Sequence, residues 1–162
     1  MAGVRQKKGG DEPAHLRVGR RGEDAALGYL AAKGFRLLDR NWRPAGRAAG
    51  LELDLVGRMG GELLFVEVKS RRAASRGPVL AGKSFETDMG DPLASFTPAK
   101  RRNMARVAGR YLKAMDAWDE PCRFDLVCVT FFPDDTVRVE HHAHVITFDE
   151  SLGGGNAAWQ PW

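Results

Sequence analysis

The chain is of the α/β class: stretches with a strand period and stretches with a helix period share one sequence of 162 residues, and three of them carry the assignment. Residues 51–69 alternate apolar and polar side chains on both sides of Gly60-Gly61, the pattern of a β-hairpin closed by a two-residue turn. Met104, Val107, Ala108, Tyr111, Leu112 and Met115 fall at offsets 0, 3, 4, 7, 8 and 11, which is one face of a helix. Residues 123–132, rich in Phe, Leu, Val and Cys, read as a strand buried on both faces. An apolar content of 43% suits a single domain with a buried core.

In chain order, residues 1–16 carry Gly, Lys, Asp, Glu and Pro with almost no apolar period and read as a flexible tail, with the domain proper expected over 17–150. Residues 17–33 are expected to be helical, because Ala26, Leu27, Leu30 and Ala31 form an apolar stripe and Gly34 stands at the cap. Glu23 extends that stripe toward the helix N-terminus, where an acid also suits the helix dipole. A strand over 35–42, with Phe35 and Leu37 on one side, leads into the hairpin. Residues 73–96 show neither period and read as a long mobile loop. Their Ala-Gly-Lys-Ser at 81–84 lacks the upstream glycine and preceding strand of a phosphate loop. Thr97 caps the second helix and Pro98 opens it.

Asp125 interrupts the strand at 123–132, and Pro133-Asp134-Asp135-Thr136 turns the chain into a last strand over 137–146. His142 and His144 share a face there, without a third ligand in a zinc spacing. Cys122 and Cys128 would lie about 20 Å apart on an extended segment, too far for a disulfide. Residues 151–162 are Gly-rich and read as a second flexible tail. With no apolar run of membrane length and no apolar signal core, the expectation is a cytoplasmic protein without a membrane partner.

The hairpin concentrates the chemistry. A turn centred on Gly60-Gly61 sets Asp54 opposite Glu67 and Glu52 opposite Lys69 on one face, bordered by Val56, Leu63 and Phe65. Opposed side chains stand about 4.5–5.5 Å apart, and like charges there are destabilising, so Asp54 and Glu67 ask for a cation, with a divalent metal the natural candidate. The plain alternative is a wet sheet face on which Glu52 and Lys69 form an ordinary ion pair. The formal charge of +4, from 25 basic and 21 acidic residues, is clustered: Arg40, Arg43 and Arg47 precede the hairpin, and Arg58, Arg71, Arg72 and Arg76 surround or follow it. Lys100 and Arg101 sit at a helix N-terminus, where cations oppose the dipole, and are either solvated or turned toward a phosphate. This distribution favours a polyanionic partner.

The chain resembles a known family through Gly19-Arg20-Arg21-Gly22-Glu23-Asp24-Ala25-Ala26 with Tyr29-Leu30, Arg40-Asn41-Trp42-Arg43, Glu52-Leu53-Asp54-Leu55-Val56, Phe65-Val66-Glu67-Val68-Lys69 and Arg123-Phe124-Asp125-Leu126-Val127. These motifs, in this order across residues 17–148, are similar to those of the YraN-type endonuclease-like proteins, a family of the PD-(D/E)xK superfamily that is similar to archaeal Holliday junction resolvases. Leu51 departs from the glycine usual before the Glu-x-Asp, and 73–96 is longer than the usual connection. The resemblance implies a restriction-endonuclease-like mixed β-sheet flanked by α-helices. It also implies Asp54 and Glu67 as metal ligands, Lys69 as the catalytic lysine and Glu23 as a further acidic site residue.

The expectation is then a nuclease that hydrolyses DNA phosphodiester bonds with Mg²⁺ or Mn²⁺, on branched or otherwise structured DNA. Arg43, Arg71, Lys100 and Arg101 are expected to meet the phosphates. The alternative is a non-catalytic nucleic-acid binding module that keeps the nuclease fold, and purely structural use of the hairpin acids predicts no metal binding. A retaining glycosidase also pairs carboxylates near 5 Å, but the adjacent lysine, the basic surround and the lack of an aromatic platform speak against it. Oligomeric state is open, with a homodimer the form that the related junction enzymes take.

Overall fold

The computed structural model describes residues 14–45, 51–73 and 94–146. In chain order the elements are α1 (Ala14–Ala31), β1 (Arg36–Trp42), β2 (Leu53–Met59), β3 (Glu62–Arg72), α2 (Pro98–Met115), β4 (Cys122–Phe131) and β5 (Val137–Ile146). The strands form one sheet in the order β1-β2-β3-β4-β5. β3 and β4 are parallel and all other neighbours antiparallel. A parallel pair requires a crossover, and α2 lies within it. Gly60 and Gly61, at φ 64° and 89°, make a turn that side chains disfavour, and it closes β2 on β3 with Met59 opposite Glu62 and Leu55 opposite Val66.

Alternation sends the hairpin's apolar side chains into two cores. Val56, Leu63 and Phe65 pack with Phe124, Leu126 and the buried stripe of α2, including Met104, Val107 and Leu112. Leu55, Leu64 and Val66 pack with Val127, Val129 and, from α1, Ala26 and Leu30. The helices therefore cover opposite faces of the sheet, the α/β, restriction-endonuclease-like arrangement that the resemblance implies. α2 is fixed at both ends. The Thr97 hydroxyl accepts from the Lys100 N–H at 3.4 Å, and Asp116, at φ 53°, donates its N–H to the Leu112 carbonyl.

Several expectations shift. α1 begins at Ala14, three residues inside the expected tail, and Ala31 and Met115, each the last residue of its helix, are exposed. Leu37 is 40% exposed while Phe35, which stands just before β1, is buried, so the two do not share a buried side. Asp125 does not interrupt β4. Its carboxylate is fully buried and satisfied, with Arg123 Nε at 3.3 Å, His141 Nε2 at 2.8 Å and the His144 N–H at 3.1 Å.

That last bond forms where β5 is irregular and His144 takes φ 56°, so His142 and His144 are not an alternating pair. Cys122 and Cys128 are not joined in a disulfide. Ala73 and Phe96, the described ends of the expected loop, are core residues. Residues 74–93 of that loop, Arg76 among them, both expected tails outside α1 and Arg47 lie outside the described residues. Among the described residues no helix is long and apolar enough to cross a membrane.

Candidate functional site

Gly22 lets α1 descend onto β3. A Cβ at this position would stand 1.6 Å from Ser70 Oγ and 2.7 Å from Ser70 Cβ, so only a glycine permits the approach. The next residue, Glu23, is thereby delivered to a cleft of about 570 Å³, which it lines with Asp54, Glu67, Lys69 and Arg71 from the sheet and Lys100 from α2. Asp54, Glu67, Lys69 and Arg71 all come from one hairpin, and the register of β2 on β3 sets Asp54 opposite Glu67, one step beyond the last paired residues, Leu55 and Val66.

Asp54 Oδ2 accepts the Val68 N–H at 2.7 Å, a bond that orients the carboxylate within the cleft. Burial raises the proton affinity of Asp54, the charge of Glu67 raises it further, and together they outweigh the Val68 N–H and Lys69, so the carboxyl is pushed up to about 7. Lys69 behaves in the opposite sense. Burial would lower it, but the charge of Glu67, a hydrogen bond from Nζ to Glu67 Oε1 and the charge of Asp54 hold the ammonium above its ordinary value. The cleft thus contains a carboxyl that lacks sufficient positive charge beside a lysine that stays protonated.

Glu23 is held in place from β1. Arg40 Nε and Asn41 Nδ2 both donate to Glu23 Oε2, at 2.9 and 3.2 Å, while a second Arg40 nitrogen donates to Asp24 Oδ1 at 2.7 Å. The sequence placed Arg40 only in the basic cluster flanking the hairpin and gave Asn41 no role, whereas Arg40 is engaged with acids of α1. Their partner lies 17 or 18 residues away on another element, which no periodicity reports; the one signal was their place in a motif of the resemblance.

Two expected phosphate contacts do not line the cleft. Arg43 is engaged with Glu52, donating Nε at 2.8 Å, and Arg101 lies along Phe96, donating Nε to its carbonyl at 3.1 Å. The Glu52–Lys69 ion pair of the plain alternative does not form either, because Arg43 offers Glu52 two donors and Lys69 finds Glu67 on its own strand. Arg71 remains in the cleft wall with Nε on Thr130 Oγ1 at 3.1 Å. Among the described residues no three His, Cys, Asp or Glu side chains stand close enough to hold a metal by themselves.

The donor set is therefore two opposed carboxylates, which suits Mg²⁺: that ion keeps several waters and takes one or two carboxylates plus phosphate oxygens. It suits zinc poorly, since zinc asks for three or four protein ligands, mostly nitrogen and sulfur.

The sequence profile of the uncharacterised protein family UPF0102 matches residues 22–129, a stretch that includes Glu23, Asp54, Glu67 and Lys69. A UPF0102 protein of Oleidesulfovibrio alaskensis is 35% identical over an alignment that covers 98% of this chain and all of the relative. Another, from Nitratidesulfovibrio vulgaris (strain DP4), is 40% identical across 90% of this chain and 95% of its own length. A third, from Symbiobacterium thermophilum, is 40% identical across 75% and 89%. With a profile spanning most of the domain and relatives matched nearly end to end, the chain belongs to the UPF0102 family, the YraN family of the sequence resemblance.

Proposed function

We propose that the cleft hydrolyses phosphodiester bonds of DNA with the help of Mg²⁺ or Mn²⁺ held by Asp54 and Glu67. The observation that carries this reading is Asp54, a carboxyl pushed up to about 7 by burial and by Glu67, beside a lysine that remains charged. A divalent ion, when bound, supplies polarisation of a phosphate oxygen and acidification of a water. The chain does the rest. Val68 N–H fixes the Asp54 carboxylate, leaving its charge directed into the cleft. Lys69, protonated, acts as a donor that offsets negative charge gathering on the phosphate, and not as the base that removes a proton from water. Glu23, restrained by Arg40 and Asn41, offers a carboxylate that orients a water at the cleft wall. Lys100 and Arg71 supply positive charge along the path of the strand.

The test is a panel of labelled four-way junction, single-stranded and nicked DNA, with and without Mg²⁺ or Mn²⁺, using wild type and Asp54→Asn. Metal-dependent cleavage by wild type alone is the expected result. Equal cleavage by both proteins, or none by wild type on any substrate, overturns the hydrolytic reading. DNA binding without cleavage would transfer the case to a binding module on the same fold.

A further inference from the structure

A second cleft, of about 360 Å³, opens at the far end of β3, lined by Arg21 of α1, Arg72 of β3, Phe131 of β4 and, after it, Phe132 and Asp135. Arg72 lines the first cleft as well, so the two clefts meet at that side chain. We infer that this second cleft is a phosphate subsite, in which Arg21 and Arg72 grip the nucleic-acid strand where it runs on from the first cleft. The inference rests on the nucleic-acid reading proposed above and adds to it a place, two residues and a length.

Three observations carry it. Arg21 and Arg72 are both exposed, and among the described residues neither makes an ion pair with a carboxylate, unlike Arg40, Arg43, Arg58 and Arg123. Arg21 is nevertheless not loose: its guanidinium lies over the Phe131 ring, 4.9 Å from the centroid. A stacked guanidinium has its plane fixed and its edge N–H groups free, the geometry suited to two oxygens of one phosphate. Third, the relative position of the two arginines is set by the Gly22–Ser70 contact, because Arg21 precedes Gly22 and Arg72 lies two residues past Ser70. Around the helix Gly22 acts as a pivot, with Glu23 on the first cleft and Arg21 on the second. Asp135 shares the second cleft, and its carboxylate disfavours an anion that enters too near the Pro133–Thr136 turn. The phosphate position this leaves is the one between the two guanidiniums.

The spacing gives a length. From Glu67 to Arg72 are five residues, about 16 Å of strand at ~3.3 Å per residue, or about five nucleotide steps at a rise of ~3.4 Å. A strand that ends beside Glu67 does not reach the phosphate position between Arg21 and Arg72, and one extended by about five nucleotides does.

The experiment measures binding by fluorescence anisotropy, in the absence of divalent metal, across a salt series. It compares a short DNA duplex with one longer by about five base pairs. The proteins are wild type, Arg21→Gln with Arg72→Gln, and Arg21→Lys with Arg72→Lys, each checked for an unchanged thermal melt. Wild type is expected to bind the longer duplex with a log–log salt slope steeper by about 1, the double glutamine variant to lose that increment, and the double lysine variant to keep it, since the slope counts phosphates met by charge. If the glutamine variant retains the wild-type increment, the subsite is overturned while the proposed function stands. If wild type binds neither duplex, both fall. Wild type that binds with the length increment but cuts nothing leaves the subsite in place and removes only the hydrolytic reading.

Discussion

Lys69 keeps its proton in a place where burial alone would weaken it, because Glu67 and Asp54 together outweigh the loss of solvent. A donor so placed is worth having only when charge develops on the substrate. Lys69→Ala is therefore expected to lower kcat by about 10²–10³-fold while leaving DNA and metal binding in place, as single-turnover cleavage beside calorimetry would show. If Lys69 serves only as a partner for Glu67, its removal changes stability by about 0–1 kcal/mol and leaves turnover nearly intact. Asp54 yields a second expectation. Its carboxyl is raised from 3.8 to about 7, so the folded state holds the proton more tightly than the unfolded chain does. The stability this confers is complete below about pH 4 and disappears as pH climbs through about 7. Metal-free wild type is thus expected to melt lower at pH 8 than Asp54→Asn, and Mg²⁺ to close the gap by binding only the folded wild type. Equal melting temperatures at pH 8 would remove the burial argument for the metal.

At the scale of elements, the site depends on how α1 sits on β3. Gly22→Ala places a methyl 1.6 Å from Ser70 Oγ, and relief requires the helix or the strand to shift. The expected cost is about 1–3 kcal/mol in a urea melt. Adding Ser70→Gly should recover most of it, since the nearest remaining atom, Ser70 Cα, lies 3.7 Å from the new methyl. No recovery would mean that the tight contact is not what Gly22 protects. This contact also marks the limit of what the sequence revealed. Within the hairpin, alternation and Gly60-Gly61 sufficed for strand register and for the facing of Asp54 and Glu67, because period and turn chemistry are local. The capped α2 was legible for the same reason. The pairings of Glu52 and Lys69 were not: alternation says which residues share a face, and not that Arg43, arriving from β1, competes for Glu52. Nor could Asp125 be read correctly, since its partners His141 and His144 stand on the neighbouring strand.

Across the whole molecule, the sheet order and the division of the core between two faces follow from the order and periods of the elements, while the clefts depend on long-range packing of α1 and α2 that the periods do not specify. One part of that contrast has a kinetic side. Asp54, Glu67 and Lys69 all belong to a hairpin whose turn is two residues long, and such a hairpin closes in about 1–10 μs, well before helices separated by tens of residues dock on it. The two carboxylates therefore meet on the way up the folding barrier, with no helix yet beside them. Their repulsion then acts as a brake on folding and has little hold on unfolding. Asp54→Asn is expected to accelerate the refolding arm of a stopped-flow chevron and leave the unfolding arm in place, a φ-value near 1. A change confined to the unfolding arm would place the encounter after the barrier. The residues best suited to hold an ion in the finished protein are, on this account, the ones that slow its assembly, and an ion in the refolding buffer should release that delay in wild type and not in Asp54→Asn.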